Sequence, residues 1–238
     1  MEIFFTLEAW IALATLTFLE IILGIDNIIF ISIITNKLPE HQQAKTRTLG
    51  LAAALIFRIA LLIGIIWIIG FTKPLFSIFA YDFSGRDIIL GLGGIFLLAK
   101  STSEIHHKIE GENNEENTKK EVGVIGIILQ IVMLDMIFSF DSILTAIGMT
   151  EHLIIMIAAV VIAIGIMMIA AGAISKFIND HPTLQMLALS FLILIGFMLI
   201  LEAIGTHVPK GYIYFAVFFS LFVEVLNIRL KKNHRREN

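Results

Sequence analysis

Long apolar runs make up most of the chain, and short polar segments separate them. A run of 18 or more apolar residues can cross about 30 Å of hydrocarbon as an α-helix. The pattern predicts seven spanning helices, at residues 8–34, 48–70, 87–105, 123–147, 152–175, 184–204 and 211–229. We therefore expect an all-α polytopic membrane protein that forms a single transmembrane domain over residues 1–238.

The composition supports this interpretation and removes several classes of function. Hydrophobic residues make up 58% of the chain, whereas soluble domains contain about 45–50%. The chain has no cysteine, so disulfides, thiolate metal sites and iron–sulfur clusters are excluded. No basic stripe lies on a foldable soluble domain, so the expected partner is the lipid bilayer and not a nucleic acid. The sequence leaves open whether the chain forms a homo-oligomer.

Lysine and arginine are distributed unequally between the two sides of the predicted membrane domain. With the N-terminus outside, thirteen of the 17 lysines and arginines lie on the inner side and three on the outer side. Cytoplasmic loops carry such an excess of positive charge. We therefore predict an N-out, C-in protein of the cell inner (plasma) membrane, in which the polar, acidic segment 106–122 is a cytoplasmic linker.

Two segments of the chain repeat the same polar pattern within apolar surroundings. An offset of 115 residues places Glu20 on Asp135 and Asp26 on Asp141. Their helices, the first and the fourth, would cross the membrane in opposite directions. This arrangement predicts a 3+3 inverted repeat, as in many secondary transporters, with a site near the midplane. The repeats would be 8–105 and 123–204, and residues 211–229 would form an extra helix.

Carboxylates at membrane depth are costly to bury and usually mark the path of an ion or a proton. The candidate metal ligands in the two segments are Glu20, Asp26, Asn27, Asp135, Asp141 and Ser142. Glu20 and Asp135 fall near the midplane, Asp26 in the inner half and Asp141 in the outer half. A local unwinding at Gly24, and at the equivalent Ser139, would add backbone carbonyls as ligands.

Two further charged residues lie in predicted spans and could assist the site. Arg58 is expected to pair with one of the carboxylates, either as a fixed counter-ion or as an internal cation that fills the emptied site. Glu202, near the outer end of the sixth span, is a candidate proton relay. Acidic residues outnumber Arg58 in the spans, so the field suits a cation.

Oxygen donors of this kind suit magnesium, calcium or manganese. Met133 and Met136 flank Asp135, and their thioethers would either pack or favour manganese. The carboxylates could instead form interhelical hydrogen bonds that hold a membrane scaffold or assembly subunit together without transport. An intramembrane aspartyl protease also needs two aspartates, but the contexts of Asp26 and Asp141 lack the motifs of those enzymes, so no enzyme is expected.

The segments 20–27 and 134–142 resemble the two signature segments of the TerC family of integral membrane proteins, which belongs with the LysE-like exporters. The second half, at 181–194 and 207–215, resembles the family's short members with a transmembrane domain only. The resemblance implies a seven-helix bundle with a 3+3 inverted repeat, no permanently bound cofactor, and export of Mn²⁺ in preference to Ca²⁺ or Mg²⁺. It matches the family's acidic positions to Glu20, Asp26, Asp135 and Asp141. A carboxylate-lined site does not suit the tellurium oxyanions with which the family is also associated.

The orientation can be tested with reporters fused to the chain. A fluorescent protein that folds only in the cytoplasm should be bright when it is fused after Asn238, because the positive charges retain the C-terminus inside. A phosphatase that is active only outside should be inactive there. The same two reporters fused after Lys210 should give the opposite pattern, and a reversed result at both positions would overturn the predicted orientation.

Overall fold

A computed structural model describes residues 6–64, 69–70, 72–78, 81–110, 123–150, 152–206 and 208–237. Within these ranges, seven helices are long and apolar enough to cross a membrane, which confirms the predicted all-α architecture. The helices are α1 (Leu7–Thr35), α2 (Glu40–Ile63), α3 (Gly85–Glu110), α4 (Val124–Met149), α5 (Leu153–Asn179), α6 (Pro182–Ala203) and α7 (Lys210–Glu237).

Several helices are longer than the apolar pattern predicts. Helix α2 begins at Glu40, directly after Pro39, and ends at Ile63, so it lies closer to the N-terminus than the predicted span 48–70. Helix α3 continues to Glu110, so residues 106–110 of the predicted linker are helical. Residues 111–122 of that linker lie outside the described residues. Polar helix formers such as Glu, Gln and Lys extend a helix beyond the hydrocarbon at no cost, so hydrophobicity alone places such ends too early.

A short β-hairpin connects α2 to α3, where the sequence indicated only a polar break. Strands β1 (Pro74–Ile78) and β2 (Tyr81–Ser84) are antiparallel. The rings of Phe76 and Phe83 stack across the pair, with centroids 5.5 Å apart. Helix α3 follows at once, because the Ser84 N–H donates to Asp87 Oδ2 at 2.9 Å and the Asp87 N–H donates back to Ser84 Oγ at 3.3 Å. This is a reciprocal cap of the first turn.

The helix contacts follow the predicted repeat, in which α4, α5 and α6 correspond to α1, α2 and α3. The most extensive contacts are α3 with α6, α1 with α5, and α2 with α4. Exchanging the two repeats converts the contact of α1 with α5 into that of α4 with α2, and leaves the contact of α3 with α6 unchanged. This is the pattern that a two-fold relation between the repeats would give.

Helices α3 and α6 cross at a pair of glycines that lies on this two-fold relation. A Cβ at Gly94 would lie 2.5 Å from the carbonyl oxygen of Gly196, and a Cβ at Gly196 would lie 3.0 Å from that of Gly94. The contact is reciprocal, and the two glycines, 102 residues apart in the sequence, therefore occupy equivalent positions in α3 and α6. Small residues let membrane helices approach this closely.

Polar side chains join α1 to α5 at their C-terminal ends. Asn36 Nδ2 donates to Asn179 Oδ1 at 2.5 Å, and Asn179 Nδ2 donates back to Asn36 Oδ1 at 3.0 Å. One turn earlier, Ser32 Oγ donates to Ser175 Oγ at 2.7 Å. From the serine pair to the asparagine pair, the residue number rises by four in both helices. The two helices are therefore parallel, as the inverted repeat requires.

Helix α7 lies outside both repeats and contacts the bundle through α6. Of its described side chains, that of Ile213 alone is buried. Its aromatic residues Phe215, Phe218 and Phe222 are exposed, and in a bilayer they would face lipid. The described residues around Glu20 and Asp135 belong to α1, α2, α4 and α5.

The glycine crossing gives a prediction about stability. Gly94→Ala should lower the free energy of unfolding by about 1–3 kcal/mol, because its Cβ would meet backbone that cannot move aside. Gly165→Ala on α5 is the matched control, since no atom lies within 4 Å of its Cβ position. Thermal unfolding of the detergent-solubilised protein measures both. Equal midpoints for the two variants would contradict the crossing.

Candidate functional site

The centre of the bundle is a buried arginine shared by two carboxylates. Arg58 of α2 is only 3% exposed. Its Nη2 lies 2.7 Å from Asp135 Oδ1 and its Nε 3.3 Å from Asp135 Oδ2, which makes a two-point contact. Its Nη1 donates to Glu20 Oε2. The two acids come from α1 and α4 and are the pair that the repeat makes equivalent.

This trio carries one net negative charge in a region from which water is largely excluded. Glu20 and Asp135 are 6% and 8% exposed. Removing one partner from such a group leaves an uncompensated charge, which typically costs about 3–5 kcal/mol. Arg58 therefore pairs with both central carboxylates, where the sequence predicted a pair with one of them.

The expected unwinding at Gly24 and Ser139 is wrong, because α1 and α4 are continuous helices at both positions. Each residue has another role in the structure. Ser139 Oγ lies 2.5 Å from the backbone carbonyl oxygen of Asp135 and 3.0 Å from Asp135 Oδ2, one turn earlier on the same helix, so these two acceptors share its single proton. Gly24 admits a side chain from α5, since a Cβ there would lie 2.2 Å from the sulfur of Met167.

Two small cavities flank the trio, one toward each side of the membrane. The Asp135 cavity is lined by Asp135 and Asn27 together with apolar residues of α1, α2 and α4, and has about 10 Å³. The Glu20 cavity is lined by Glu20 and by apolar residues of α1, α2, α4 and α5, and also has about 10 Å³. Each is large enough for about one water molecule.

The two cavities are equivalent under the repeat. Between α1 and α4, the offset of 115 residues relates three lining pairs, which are Leu16 with Ile131, Glu20 with Asp135, and Ile31 with Ala146. Between α2 and α5, an offset of 105 residues relates two more, Leu51 with Met156 and Ala54 with Ala159. The same offset relates Arg58 to Ala163, which is fully buried. The backbone is thus two-fold, whereas the arginine is present on one side only.

Asn27 presents an oxygen without a hydrogen-bond partner to this region. The side chain is 7% exposed and lines the Asp135 cavity. Its Oδ1 accepts no hydrogen bond from any described residue. A buried acceptor left in this way costs about 1–3 kcal/mol, and it is a suitable ligand for a hard cation or a water molecule.

The structure treats the other predicted site residues differently. Asp26 and Asp141 belong to α1 and α4, but their side chains lie outside the described residues. Ser142 is buried, and its hydroxyl donates to the carbonyl of Ser139 at 3.2 Å. Glu202 is also buried and bonds to Arg86 at the start of α3, with 3.3 Å between Oε2 and Nη2. Its role as a proton relay stays a prediction.

The methionines beside Asp135 do not reach the central trio. Met133 is 42% exposed and Met136 is 38% exposed, so both lie on the outer surface of the bundle. Two buried methionines of α5 that sequence reasoning missed lie near α1: Met156 lines the Glu20 cavity, and the sulfur of Met167 lies against Gly24. An alignment of α5 with α2 at the 105-residue offset would have identified Met167 as the counterpart of Leu62.

A preformed metal cluster is not seen in the described part of the chain. No three carboxylate or imidazole side chains come together there. The described carboxylates that converge, Glu20 and Asp135, are held by Arg58. The positive charge that lies between these two carboxylates is the guanidinium of Arg58.

Comparison with known proteins gives one family. The sequence model of the "Integral membrane protein TerC family" matches residues 5–238. The chain is 59% identical over 228 residues to the inner membrane protein YgdQ of Escherichia coli, covering 95% of each chain. It is 52% identical over 226 residues to a UPF0053 protein of Haemophilus influenzae, covering 94% of this chain and 95% of the relative.

A longer relative, the inner membrane protein YoaE of Escherichia coli, is 46% identical over 237 residues, which are 99% of this chain and 46% of YoaE. No solved structure gives a significant match. The names of YgdQ and YoaE place those two proteins in the inner membrane, and none of the three names states a transported ion.

The shared arginine gives a prediction about charge balance. Arg58→Met should lower the free energy of unfolding by about 3–5 kcal/mol, because two buried carboxylates lose their counter-ion. Adding Glu20→Gln and Asp135→Asn should restore most of this loss, since no charge then remains. Thermal unfolding in detergent measures both, with Arg229→Met on exposed α7 as the control. A triple variant as unstable as Arg58→Met would contradict the charge argument.

Proposed function

Because the chain belongs to the TerC family of integral membrane proteins, we propose that it exports a divalent metal cation, and Mn²⁺ in particular, across the inner membrane. The observation that carries the proposal is the sharing of Arg58 by Glu20 and Asp135. Two acids that the repeat makes equivalent converge on one positive charge between two cavities. Inverted-repeat transporters bind their substrates at such a place.

The charges favour a divalent ion over a monovalent one. With Arg58 in place, the trio carries one net negative charge. If Arg58 withdraws, Glu20 and Asp135 present two negative charges, which a divalent cation neutralises. The unpartnered Oδ1 of Asn27 offers a further oxygen ligand. A metal ion and Arg58 would then bind in alternation, and the site would never be left with two uncompensated carboxylates.

Oxygen ligands alone suit Mn²⁺, Ca²⁺ and Mg²⁺. The choice of Mn²⁺ rests on the family resemblance of segments 20–27 and 134–142, and it is part of the proposal. Asp26 and Asp141, which share that resemblance, are proposed as additional ligands during passage.

Export of a divalent cation needs a driving force, because the membrane potential is negative on the inside of the cell. It is opposed by roughly 4.6 kcal/mol per 100 mV for two charges. We propose that protons move inward in exchange, because protons and metal ions compete for the same carboxylate oxygens. Metal would displace protons on the inner side, and the more acidic outer medium would release the metal.

Transport can be measured with the purified protein in liposomes that contain a pH-sensitive dye. We expect Mn²⁺ flux accompanied by an opposite proton flux, and uphill Mn²⁺ movement when a pH gradient is imposed. Glu20→Gln, Asp26→Asn, Asp135→Asn and Asp141→Asn should each reduce the initial rate at least about tenfold. Glu224→Gln, an acidic residue on α7 outside the repeats, is the matched control.

The possible outcomes separate the alternatives. Mn²⁺ flux without a proton signal would overturn the antiport and leave the exporter. No flux of any divalent cation through the folded protein would overturn the exporter and support a scaffold or assembly subunit. Full activity in Asp135→Asn and Glu20→Gln would place the path elsewhere in the bundle.

A further inference from the structure

Besides lacking an arginine at the position of Arg58, helix α5 differs from its repeat partner α2 in two buried side chains. Where α2 carries Leu51 and Leu62, the 105-residue offset places Met156 and Met167 on α5. Met156 and Met167 are 2% and 3% exposed, and Leu51 and Leu62 are buried as well. The two repeats thus place leucines and thioethers at equivalent buried positions.

Met167 lies against the face of α1 that carries the candidate ligands. Glu20, Gly24 and Asn27 are spaced by four and three residues, so they share one face of the helix. The sulfur of Met167 lies only 2.2 Å from the position that a Gly24 Cβ would occupy, and its methyl carbon lies 3.0 Å away. The thioether therefore occupies the gap left by the missing side chain, between Glu20 and Asn27.

A second observation on the same face indicates a ligand. Asn27 Oδ1, one turn beyond Gly24, is buried and accepts no hydrogen bond from any described residue. Glu20, one turn before Gly24, contributes a carboxylate. The face thus combines two oxygen donors of hard character with one sulfur donor of soft character.

We propose that Met167 is a specificity-determining ligand, whose thioether selects transition-metal ions such as Mn²⁺ against Ca²⁺ and Mg²⁺. The inference rests on the proposed function and adds its selectivity. Carboxylate and amide oxygens do not distinguish these ions well, whereas a thioether is a poor ligand for the hard alkaline-earth ions. A sulfur beside the oxygen ligands would therefore weaken the binding of Ca²⁺ and Mg²⁺ more than the binding of Mn²⁺.

The test measures transport of Mn²⁺, Ca²⁺ and Mg²⁺ in proteoliposomes, singly and in competition, for Met167→Leu. This change nearly conserves volume and should leave the fold intact. We expect the preference for Mn²⁺ over Ca²⁺, measured as the ratio of the two initial rates, to fall about tenfold. Met168→Leu, the adjacent and only half-buried methionine, is the matched control and should keep the selectivity of the unaltered protein.

A second variant moves the sulfur without removing it. Gly24→Ala introduces a Cβ that the flexible end of Met167 must avoid, so it should reduce selectivity in the same direction. Unaltered selectivity in Met167→Leu, with an unchanged unfolding temperature, would overturn the role of Met167 and leave the exporter standing. Absence of divalent transport in the unaltered protein would overturn both proposals.

Discussion

The burial of Arg58 between Glu20 and Asp135 is the constraint on which the rest of the structure depends. An unpaired charge in this position would cost more than most helix contacts contribute. Helices α1, α2 and α4 must therefore meet at one level of the membrane. Ser139 stabilises the arrangement from the next turn of α4. The remaining helices surround this centre, and the apolar aromatic face of α7 is left toward lipid.

The two repeats share a backbone plan but differ in chemistry. Five pairs of lining residues correspond between the two cavities, yet Arg58 has a buried alanine as its counterpart, and two leucines of α2 have methionines as theirs. In this protein, α2 carries the buried positive charge and α5 carries the buried thioethers. The repeats thus resemble each other in backbone arrangement more than in side-chain chemistry.

The sequence predicts the architecture better than it predicts the site. Hydrophobicity locates seven helices, because every backbone polar group in lipid must be satisfied internally. It misplaces the start of α2 and the end of α3, where polar residues continue the helix into water. It also misses the β-hairpin, since the strands of 5 and 4 residues are too short for a clear alternation.

Within the site, the pairing of Glu20 with Asp135 follows from their repeat and their burial cost. The sharing of one arginine depends on how three helices pack, which no local pattern reports. Met167 was missed for the same reason, because its partner Gly24 lies 143 positions away. Met133 and Met136 were predicted as candidate sulfur ligands because they flank Asp135 in the sequence. Neighbouring residues on a helix, however, point in different directions.

The crossing of Gly94 and Gly196 bears on how the two halves can move. Each glycine lies against the carbonyl of the other, while the side chains of Leu97, Leu98 and Ile200 pack beside the crossing. Interlocked side chains resist rotation, because they must disengage before one helix can turn on its neighbour. A rotation of one half against the other is therefore resisted by these flanking side chains and not by the two glycines at the closest point of contact. The residues that bring the halves closest together are thus also those that least hinder their relative rotation.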